Sequence, residues 1–418
     1  MSQPPPGDRL ALLYRLSQAF NSTLDLDEVL NRVMDEVIAA TQAERGFVML
    51  AEPDGRLTFR AARGMDQRTL EAPQFQISRS LVERVAYEGQ PVLTSDAQHD
   101  ARFSMRQSVI SMGLRSILCV PLTIKDQVKG VIYVDNRRLT GIFTPADLEL
   151  LVAIAANAAM AIENARLYRV AVEKGRLERE LQMAAEVQIS LLPQETPQIA
   201  GWELAARWLP ATEVAGDFYD FLPCGAGSLG WLVADVSGKG MPAALFMALS
   251  RSLIRASMTA ARALADGMAQ ANRLICADAA NGMFVTLFYA ELDPTGGVTY
   301  VNAGHNPPLL CGPARPQPVE LTRTGILLGV DEGAIYTQRS VSLAPGDFLV
   351  CYTDGVTEAL DAIGREFGVE RLAQASAAAA AGPAPAIADA IVAAVGEFTG
   401  GGPPFDDVAI VIVKKEMR

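Results

Sequence analysis

The chain has 418 residues, of which half are hydrophobic and a fifth are charged, and its formal net charge at pH 7 is −12. This length predicts two or three domains, and the acidic balance argues against nucleic acid or an anionic membrane surface as a partner. Five scattered cysteines without a CxxC pair indicate free thiols instead of a disulfide framework. The first residues lack the pattern of a signal peptide, and the longest apolar run, 150–162, is too short to span a bilayer. We therefore expect a cytoplasmic protein.

The first 140 residues alternate between helical and strand patterns. Two helices are predicted within residues 8–41, separated by a break at Asp25–Asp27. After Gly46, two apolar runs around a Pro-Asp-Gly turn predict a hairpin. A helix is expected at Ser80–Glu88, and a second strand pair at 116–136. This order predicts an antiparallel sheet with helices packed on it.

A single long helix is predicted next. Thr144 is a suitable N-cap, Pro145 occupies the first helical position, and Asp147 lies where its side chain can reach back to the cap. Helical patterning continues to Leu192 and ends at Pro193, which gives a length of about 70 Å at 1.5 Å per residue.

The second half of this helix carries a weak heptad repeat of apolar residues: Leu167, Val170, Leu177, Leu181, Ala184 and Leu191. Lys174 and Gln188 occupy seam positions of the repeat, and Gly175 lies in the middle of the helix. One interpretation is an amphipathic helix that lies on its own domain. We favour a coiled-coil linker that joins two domains and makes the protein a homodimer.

After Pro193 the sequence is rich in strand patterns, with helices expected at Pro242–Ala261 and around 366–398. Carboxylates stand next to these strands in four well-separated segments. They are Asp217, Asp235, Asp354 and the pair Asp406–Asp407. Singly, each is explained by a turn, a helix cap or the start of a strand.

Taken together, these carboxylates predict a metal centre. Like charges gathered at one sheet edge raise each other's pKa unless a cation neutralises them, so the expected partner of Asp217 is a metal ion. All-oxygen ligands suit Mg²⁺ or Mn²⁺, whereas zinc is disfavoured because the chain has two histidines and no cysteine–histidine cluster. Carboxylates that hold a pair of such ions favour hydrolysis at phosphorus.

Six motifs occur in order between about residues 185 and 415: LLPQETP, AGDFYDF, VADVSGKGMPAALFMA, VNAGHNPPLL, YTDGVTEA and DDVAIVIVK. In this order and spacing they resemble the PPM-type metal-dependent serine/threonine phosphatases. The most similar branch is the SpoIIE-like bacterial one, which regulates anti-sigma-factor antagonists. The resemblance implies an αββα sandwich, two Mn²⁺ or Mg²⁺ ions, and a phosphoserine or phosphothreonine protein substrate.

The resemblance also implies roles for single residues. Asp235 matches the ligand that bridges both ions, and Val236 matches the position that lends a backbone carbonyl. Asp354 and Asp406 match ligands of the second ion. Asp217 matches the acidic position that holds the first ion, directly or through water. The implied metal set is Asp217, Asp235, Val236, Asp354, Asp406 and Asp407.

Two positions depart from the better-studied members of the family. Those members carry a histidine just after the bridging aspartate, where this chain has Val236-Ser237, and an arginine that grips the phosphate, which has no counterpart near Asp217. Lys239 is a candidate for the missing proton donor or phosphate clamp. His305 has no visible metal or nucleophile partner in sequence, and we expect a structural role for it.

The N-terminal block carries a second resemblance, to a GAF domain over about residues 22–165. The segments that carry it are ERGFVML, GQPVLTSDAQHDARF, SMGLRSILCVPLTIKDQVKGVIYVDN and FTPADLELL. Phe143 and Asp147 partly match a motif of cyclic-nucleotide-binding GAF domains, but the same residues suit a helix cap, which we favour. Cys119 lies within an apolar strand and is expected in the core, not as a bilin or haem ligand. The sequence does not identify the GAF ligand.

The sequence thus predicts an α+β protein of four parts: an N-terminal helical segment (1–21), a GAF sensor domain (22–165), a coiled-coil linker (166–193) and a PPM-type phosphatase domain (194–418). The favoured function is a metal-dependent phosphatase regulated by the GAF domain, acting on a partner such as an anti-sigma-factor antagonist. The alternative is a non-catalytic signalling scaffold with a phosphatase fold. The complete carboxylate set favours the enzyme.

Overall fold

The computed structural model describes residues 6–20, 22–52, 54–64, 76–94, 116–137, 140, 142–224, 228–279, 282–292, 297–402 and 404–417. The chain divides into two compact units, Met1–Leu177 and Glu178–Arg418. The boundary lies within the long helix, at a position inside the predicted linker.

The described helices are α1 Pro6–Phe20, α2 Leu26–Thr41, α3 Gln76–Glu88, α4 Pro145–Leu191, α5 Met241–Ala260, α6 Leu264–Asp278, α7 Asp354–Thr357, α8 Gly368–Ala378 and α9 Ala384–Thr399. The described strands are β1 Arg45–Ala51, β2 Leu57–Arg63, β3 Val92–Thr94, β4 Ser116–Ile124, β5 Gln127–Asn136, β6 Trp202–Leu209, β7 Phe218–Cys224, β8 Ser228–Val236, β9 Val285–Leu292, β10 Gly297–Ala303, β11 Leu309–Gly312, β12 Arg315–Glu320, β13 Arg339–Ser342, β14 Phe348–Tyr352 and β15 Val408–Lys415.

The first unit is built on a five-stranded antiparallel sheet in the order β2-β1-β5-β4-β3. One face packs against α2 and the beginning of α4, with Val33, Leu118 and Ile154 in the same core. The other face buries Cys119 and Tyr133 beside α3. Both predicted hairpins are present, and the prediction of Cys119 as a core residue is confirmed. Pro53 of the first turn and residues 95–115 of the GAF pattern lie outside the described residues.

The start of α4 has the predicted capping geometry. The backbone N–H and hydroxyl of Thr144 donate to Asp147 Oδ2 at 2.8 and 2.7 Å, and the Asp147 N–H lies 3.3 Å from Thr144 Oγ1. Phe143 is buried in the core of the first unit. The interpretation of these residues as a helix cap is therefore confirmed.

The 47-residue helix α4 changes its environment along its length. One face of its first five turns is buried in the first unit, and residues 166–180 are exposed apart from Gly175. By length and composition, α4 is the one described helix apolar enough to cross a membrane, and 39% of its most apolar 18-residue window is buried. The sequence prediction considered only the uninterrupted apolar run of 13 residues, which is shorter than this window. Core helices of soluble proteins can have the same length and hydropathy.

The structure of the last turns of α4 contradicts the predicted heptad. Gln188 was assigned to the seam of a coiled coil, where it would face a second helix. It is instead buried within the second unit, and Ala184 packs there against Ala185, Val214 and Ala244. The heptad pattern misassigned these turns because a helix face that packs on its own domain has the same apolar spacing as a coiled-coil seam.

The second unit is a sandwich of two five-stranded sheets, in the orders β13-β10-β9-β8-β7 and β12-β11-β14-β15-β6. Trp231 and Val411 belong to the core between the sheets. Helices α5 and α6 cover the first sheet, with Met247 and Met268 in that layer. Helices α8 and α9 cover the second sheet. The predicted αββα architecture is confirmed.

One helical detail differs from the prediction. Helix α6, Leu264–Asp278, was not predicted, and its N-cap is Ala263, without a side-chain cap hydrogen bond. The start signal on which helix prediction relies is therefore missing. The region around 366–398 is helical as predicted, with α8 and α9 separated by the Gly382-Pro383 turn.

Candidate metal centre

In each sheet, the predicted carboxylates lie at the adjacent ends of two paired strands. Asp217 precedes β7, and Asp235 lies near the end of β8, its antiparallel neighbour. In the other sheet, Asp354 follows β14 by two residues, and Asp406–Asp407 directly precede its neighbour β15. Antiparallel pairing places the start of one strand beside the end of the next, so each pair of segments meets at one edge.

The carboxylates interact electrostatically across the two sheets. Asp217 is only 3% exposed, and burial, followed by the charge of Asp235, raises its pKa well above the usual value. Burial and the charge of Asp354 raise the pKa of Asp235 to about 7, against the opposing effect of a hydrogen bond with Asp217. Burial and Asp406 raise the pKa of Asp354. Side chains that were predicted to gather are therefore close enough to repel one another.

Asp217 and Asp220 show two different solutions for a buried carboxylate. Asp220 forms ion pairs of 2.9 Å with Arg251 and 2.8 Å with Arg255, both on α5. Asp217 has no such ion pair in the described part of the chain, and its Oδ2 is buried without a hydrogen-bond partner. Arg207, the nearest basic residue before it in sequence, pairs with Asp389 instead. A cation that is not a side chain would complete the environment of Asp217.

The donor set fits Mn²⁺ or Mg²⁺. It consists of carboxylate oxygens and the Val236 carbonyl, with an orphaned oxygen on Asp217. Among the described residues, no group of three or more His, Cys, Asp or Glu side chains has an arrangement that could hold a metal ion as it stands. The residues that would hold the ions are Asp217, Asp235, Val236, Asp354, Asp406 and Asp407.

Asp407, predicted as a ligand, also supports the loop beside the site. One of its oxygens accepts from the Ala211 N–H at 2.8 Å, and the other accepts from the Gly216 N–H at 2.7 Å. Burial raises the pKa of Asp407, and these two amides oppose that rise. Asp407 therefore anchors the loop that leads into Asp217, and its predicted part as a metal ligand stays a prediction.

Lys239 lies at the rim of the cluster. Its ammonium is 2.8 Å from Asp406 Oδ2 and 4.7 Å from the centre of the Phe405 ring. The hydrogen bond to Asp406 is the main cause that raises the pKa of Lys239. The side chain is 57% exposed, so this cation is near the carboxylates and also reachable from solvent. Its predicted part as proton donor or phosphate clamp stays a prediction.

His305 is buried beside the carboxylate cluster and not within it. Its Nδ1 lies 2.8 Å from the hydroxyl of Thr286, which pairs in register with Asp235. Its backbone N–H donates to Asn302 Oδ1 at 2.9 Å. Burial lowers the pKa of the imidazole to about 3, so the ring is uncharged at neutral pH. These contacts agree with the predicted structural role.

Sequence reasoning missed three residues near the carboxylates. The Thr353 hydroxyl forms a hydrogen bond that lowers the pKa of Asp217 against the larger effect of burial. Glu358 lies one turn after Asp354, and burial followed by that charge raises its pKa. Gln188 binds the loop before Asp217. The i, i+4 spacing of Asp354 and Glu358 could have revealed the second residue, but only the tertiary structure reveals the other two.

Family models match both parts of the chain. The family model of Stage II sporulation protein E (SpoIIE) matches residues 225–416, and the GAF domain model matches residues 23–163. Both predicted resemblances are therefore confirmed.

Two curated relatives match about half of this chain. Protein IcfG of Synechocystis sp. is 31% identical over 229 residues, which are 48% of this chain and 36% of that protein. Phosphoserine phosphatase RsbU of Bacillus subtilis is 31% identical over 183 residues, which are 44% of this chain and 54% of that protein. The chain thus matches between about a third and a half of the length of these relatives.

Solved structures share the fold of the second unit, one of them from Pseudomonas aeruginosa. The SiaA-PP2C domain of Pseudomonas aeruginosa has a TM-score of 0.52 and 24% sequence identity, and the match covers 59% of this chain and 99% of that domain. At this level of identity the likeness concerns the architecture alone.

Proposed function

We propose that this chain, which joins a GAF domain to a SpoIIE-type domain of αββα architecture, is a metal-dependent protein serine/threonine phosphatase. The observation that carries the proposal is the buried Asp217 carboxylate, which has an unpartnered oxygen and shares its environment with Asp235 and Asp354. A domain that gathers carboxylates without a matching set of side-chain cations is suited to divalent metal ions. The similarity to a phosphoserine phosphatase of Bacillus subtilis supports the same reaction.

In this mechanism the chain's residues position charge. When bound, a pair of Mn²⁺ or Mg²⁺ ions supplies a nucleophile from water and neutralises charge on the phosphoryl group. Asp235 interacts with both Asp217 and Asp354, so its carboxylate would help to hold both ions. Asp407 holds the loop of Asp217 through the Gly216 amide. Lys239 presents an ammonium group at the exposed rim, where it would contact the substrate phosphate.

The proposed substrate is phosphoserine or phosphothreonine on a signalling protein such as an anti-sigma-factor antagonist. The similarity to a phosphoserine phosphatase supports phosphoserine as the substrate group, and the net charge of −12 argues against nucleic acid as a partner. The GAF domain is the proposed sensor, and its ligand is unidentified. We propose that the protein acts in the cytoplasm. We also propose that it is a homodimer, because the apolar side chains of Leu167, Val170 and Leu177 on α4 are exposed.

A phosphate-release assay with a phosphoserine peptide tests the proposal. The full chain, freed of metal by chelation, should be inactive and should recover turnover with Mn²⁺. Asp354→Asn should lose most of this turnover, because it removes a ligand charge. Asp389→Asn is the matched control, since Asp389 is an exposed carboxylate that pairs with Arg207, and it should stay active. A chain that binds Mn²⁺ but releases no phosphate would favour the alternative of a non-catalytic scaffold.

A further inference from the structure

The last turns of α4 reach the loop that carries Asp217. Gln188 is 4% exposed, and its side-chain amide makes two reciprocal hydrogen bonds with the backbone of Ala215. Its Nε2 donates to the Ala215 carbonyl at 2.6 Å, and its Oε1 accepts from the Ala215 N–H at 2.9 Å. The amide thus pairs with both polar groups of Ala215, as a neighbouring β-strand would.

The surroundings of this contact exclude water. Ala215 is fully buried, and Ala185, Val214 and Ala244 form an apolar cluster beside it. Losing the amide would leave a buried N–H and a buried carbonyl unsatisfied, which costs more than the hydrogen bonds themselves contribute. Gln188 is therefore a specific requirement of this loop.

The next two residues connect the contact to the candidate metal centre. The Gly216 N–H donates to Asp407, and a Cβ placed on Gly216 would lie 2.9 Å from the Val236 carbonyl oxygen, one of the implied ligands. Asp217 follows directly. The loop is thus held by Gln188 from the helix and by Asp407, which directly precedes β15. Two proposed ligands adjoin Gly216: Asp217 follows it in sequence, and the Val236 carbonyl lies next to it in space.

We propose that Gln188 is a positioning residue of the metal centre, which sets the loop of Asp217 and Gly216 at the distance from Val236 and Asp235 that metal binding requires. This inference rests on the proposed function, since it assigns Gln188 a part in the same site. It makes the end of α4 a component of the centre, although Gln188 lies 29 residues before Asp217 in the sequence.

The test measures Mn²⁺ binding directly, by the electron paramagnetic resonance signal of free Mn²⁺, in the full-length protein. Gln188→Met keeps the length of the side chain and removes both hydrogen bonds. We expect Mn²⁺ affinity to fall by about 10- to 100-fold, as is typical for residues that orient metal ligands. The maximal rate of phosphate release should fall as well, while tryptophan fluorescence shows a folded second unit.

Gln194→Met is the matched control. The Gln194 amide also caps backbone carbonyls at the end of α4, those of Ile189 and Leu192, but Gln194 is exposed and makes no described contact with the Asp217 loop. Its replacement should leave Mn²⁺ affinity unchanged. If Gln188→Met does not fold, Gln188→Glu decides instead, because it keeps the acceptor for the Ala215 N–H and loses the donor.

The outcomes separate this inference from the proposed function. A folded Gln188 variant with wild-type Mn²⁺ affinity and turnover would overturn the positioning role. A wild-type chain that binds no Mn²⁺ would overturn the metal centre itself. Weakened binding in the Gln188 variant alone, with normal binding in the Gln194 control, supports the inference.

Discussion

Replacing Asp235 by asparagine should stabilise the metal-free protein while it removes most activity. Asparagine has the same shape as aspartate but no charge. In the folded chain the pKa of Asp235 is raised from 3.8 to about 7 by burial and by Asp354. At 1.36 kcal/mol per pH unit, ionising this group in the folded state costs about 4 kcal/mol. The variant avoids that cost because its side chain is never ionised.

The pH dependence of this gain follows from the direction of the shift. A carboxyl whose folded pKa is raised stabilises the fold below its unfolded pKa and loses that contribution as the pH rises through its folded pKa. The advantage of Asp235→Asn over the wild type should therefore approach about 4 kcal/mol above pH 8 and fall below about 1 kcal/mol near pH 4. Added Mn²⁺ should reverse the order, since it stabilises the wild type more than the variant.

Urea unfolding with a chelator present, followed by tryptophan fluorescence, measures this effect. All three tryptophans, Trp202, Trp208 and Trp231, lie in the second unit, so the signal reports that unit alone. A metal-free Asp235→Asn protein that is less stable than the wild type at pH 8 would refute the repulsion. Near wild-type turnover with unchanged Mn²⁺ affinity would refute the role of Asp235 as a ligand of both ions.

Asp220→Asn is a control that should change stability in the opposite direction. It removes the same charge from another buried carboxylate, but one that is neutralised by Arg251 and Arg255. The loss of a fully buried ion pair partner costs about 3–5 kcal/mol. Because the two arginines are 14% and 43% exposed, the cost here should be smaller, and the variant should be less stable than the wild type at pH 8.

Two further predictions concern proton donation and the linker. His305→Gln should leave the acidic limb of the pH–rate profile in place, because burial lowers the pKa of His305 to about 3. Loss of that limb in a folded variant would identify histidine as the proton donor. A seven-residue insertion after Gly175 keeps the faces of α4 in phase, so full-chain turnover and a dimer in sedimentation should be retained, whereas a four-residue insertion should change turnover. Equal turnover in both insertions, or a monomeric wild type, would contradict the coiled-coil linker.

The sequence predicted those parts of the structure whose cause is local. Thr144 and Asp147 form the predicted cap because both partners lie within one turn of a helix. The hairpin of β4 and β5 follows from two apolar runs joined by a short turn. Helix α6 was missed because its N-cap is Ala263, which offers no local start signal.

At the candidate site, the sequence identified the acidic residues but not their partners. The ordered motifs singled out Asp217 and Asp235, and alternating strand patterns predicted the sheets that carry them. Which carboxylate receives a side-chain cation was decided by the tertiary structure, which pairs Asp220 with α5 and leaves Asp217 without an ion pair among the described residues. The same holds for Gln188, whose partner Ala215 is 27 residues away, and for Asp407, whose partner Gly216 is 191 residues away. Such contacts depend on which polar groups folding removes from water together, and no local pattern in the chain records that.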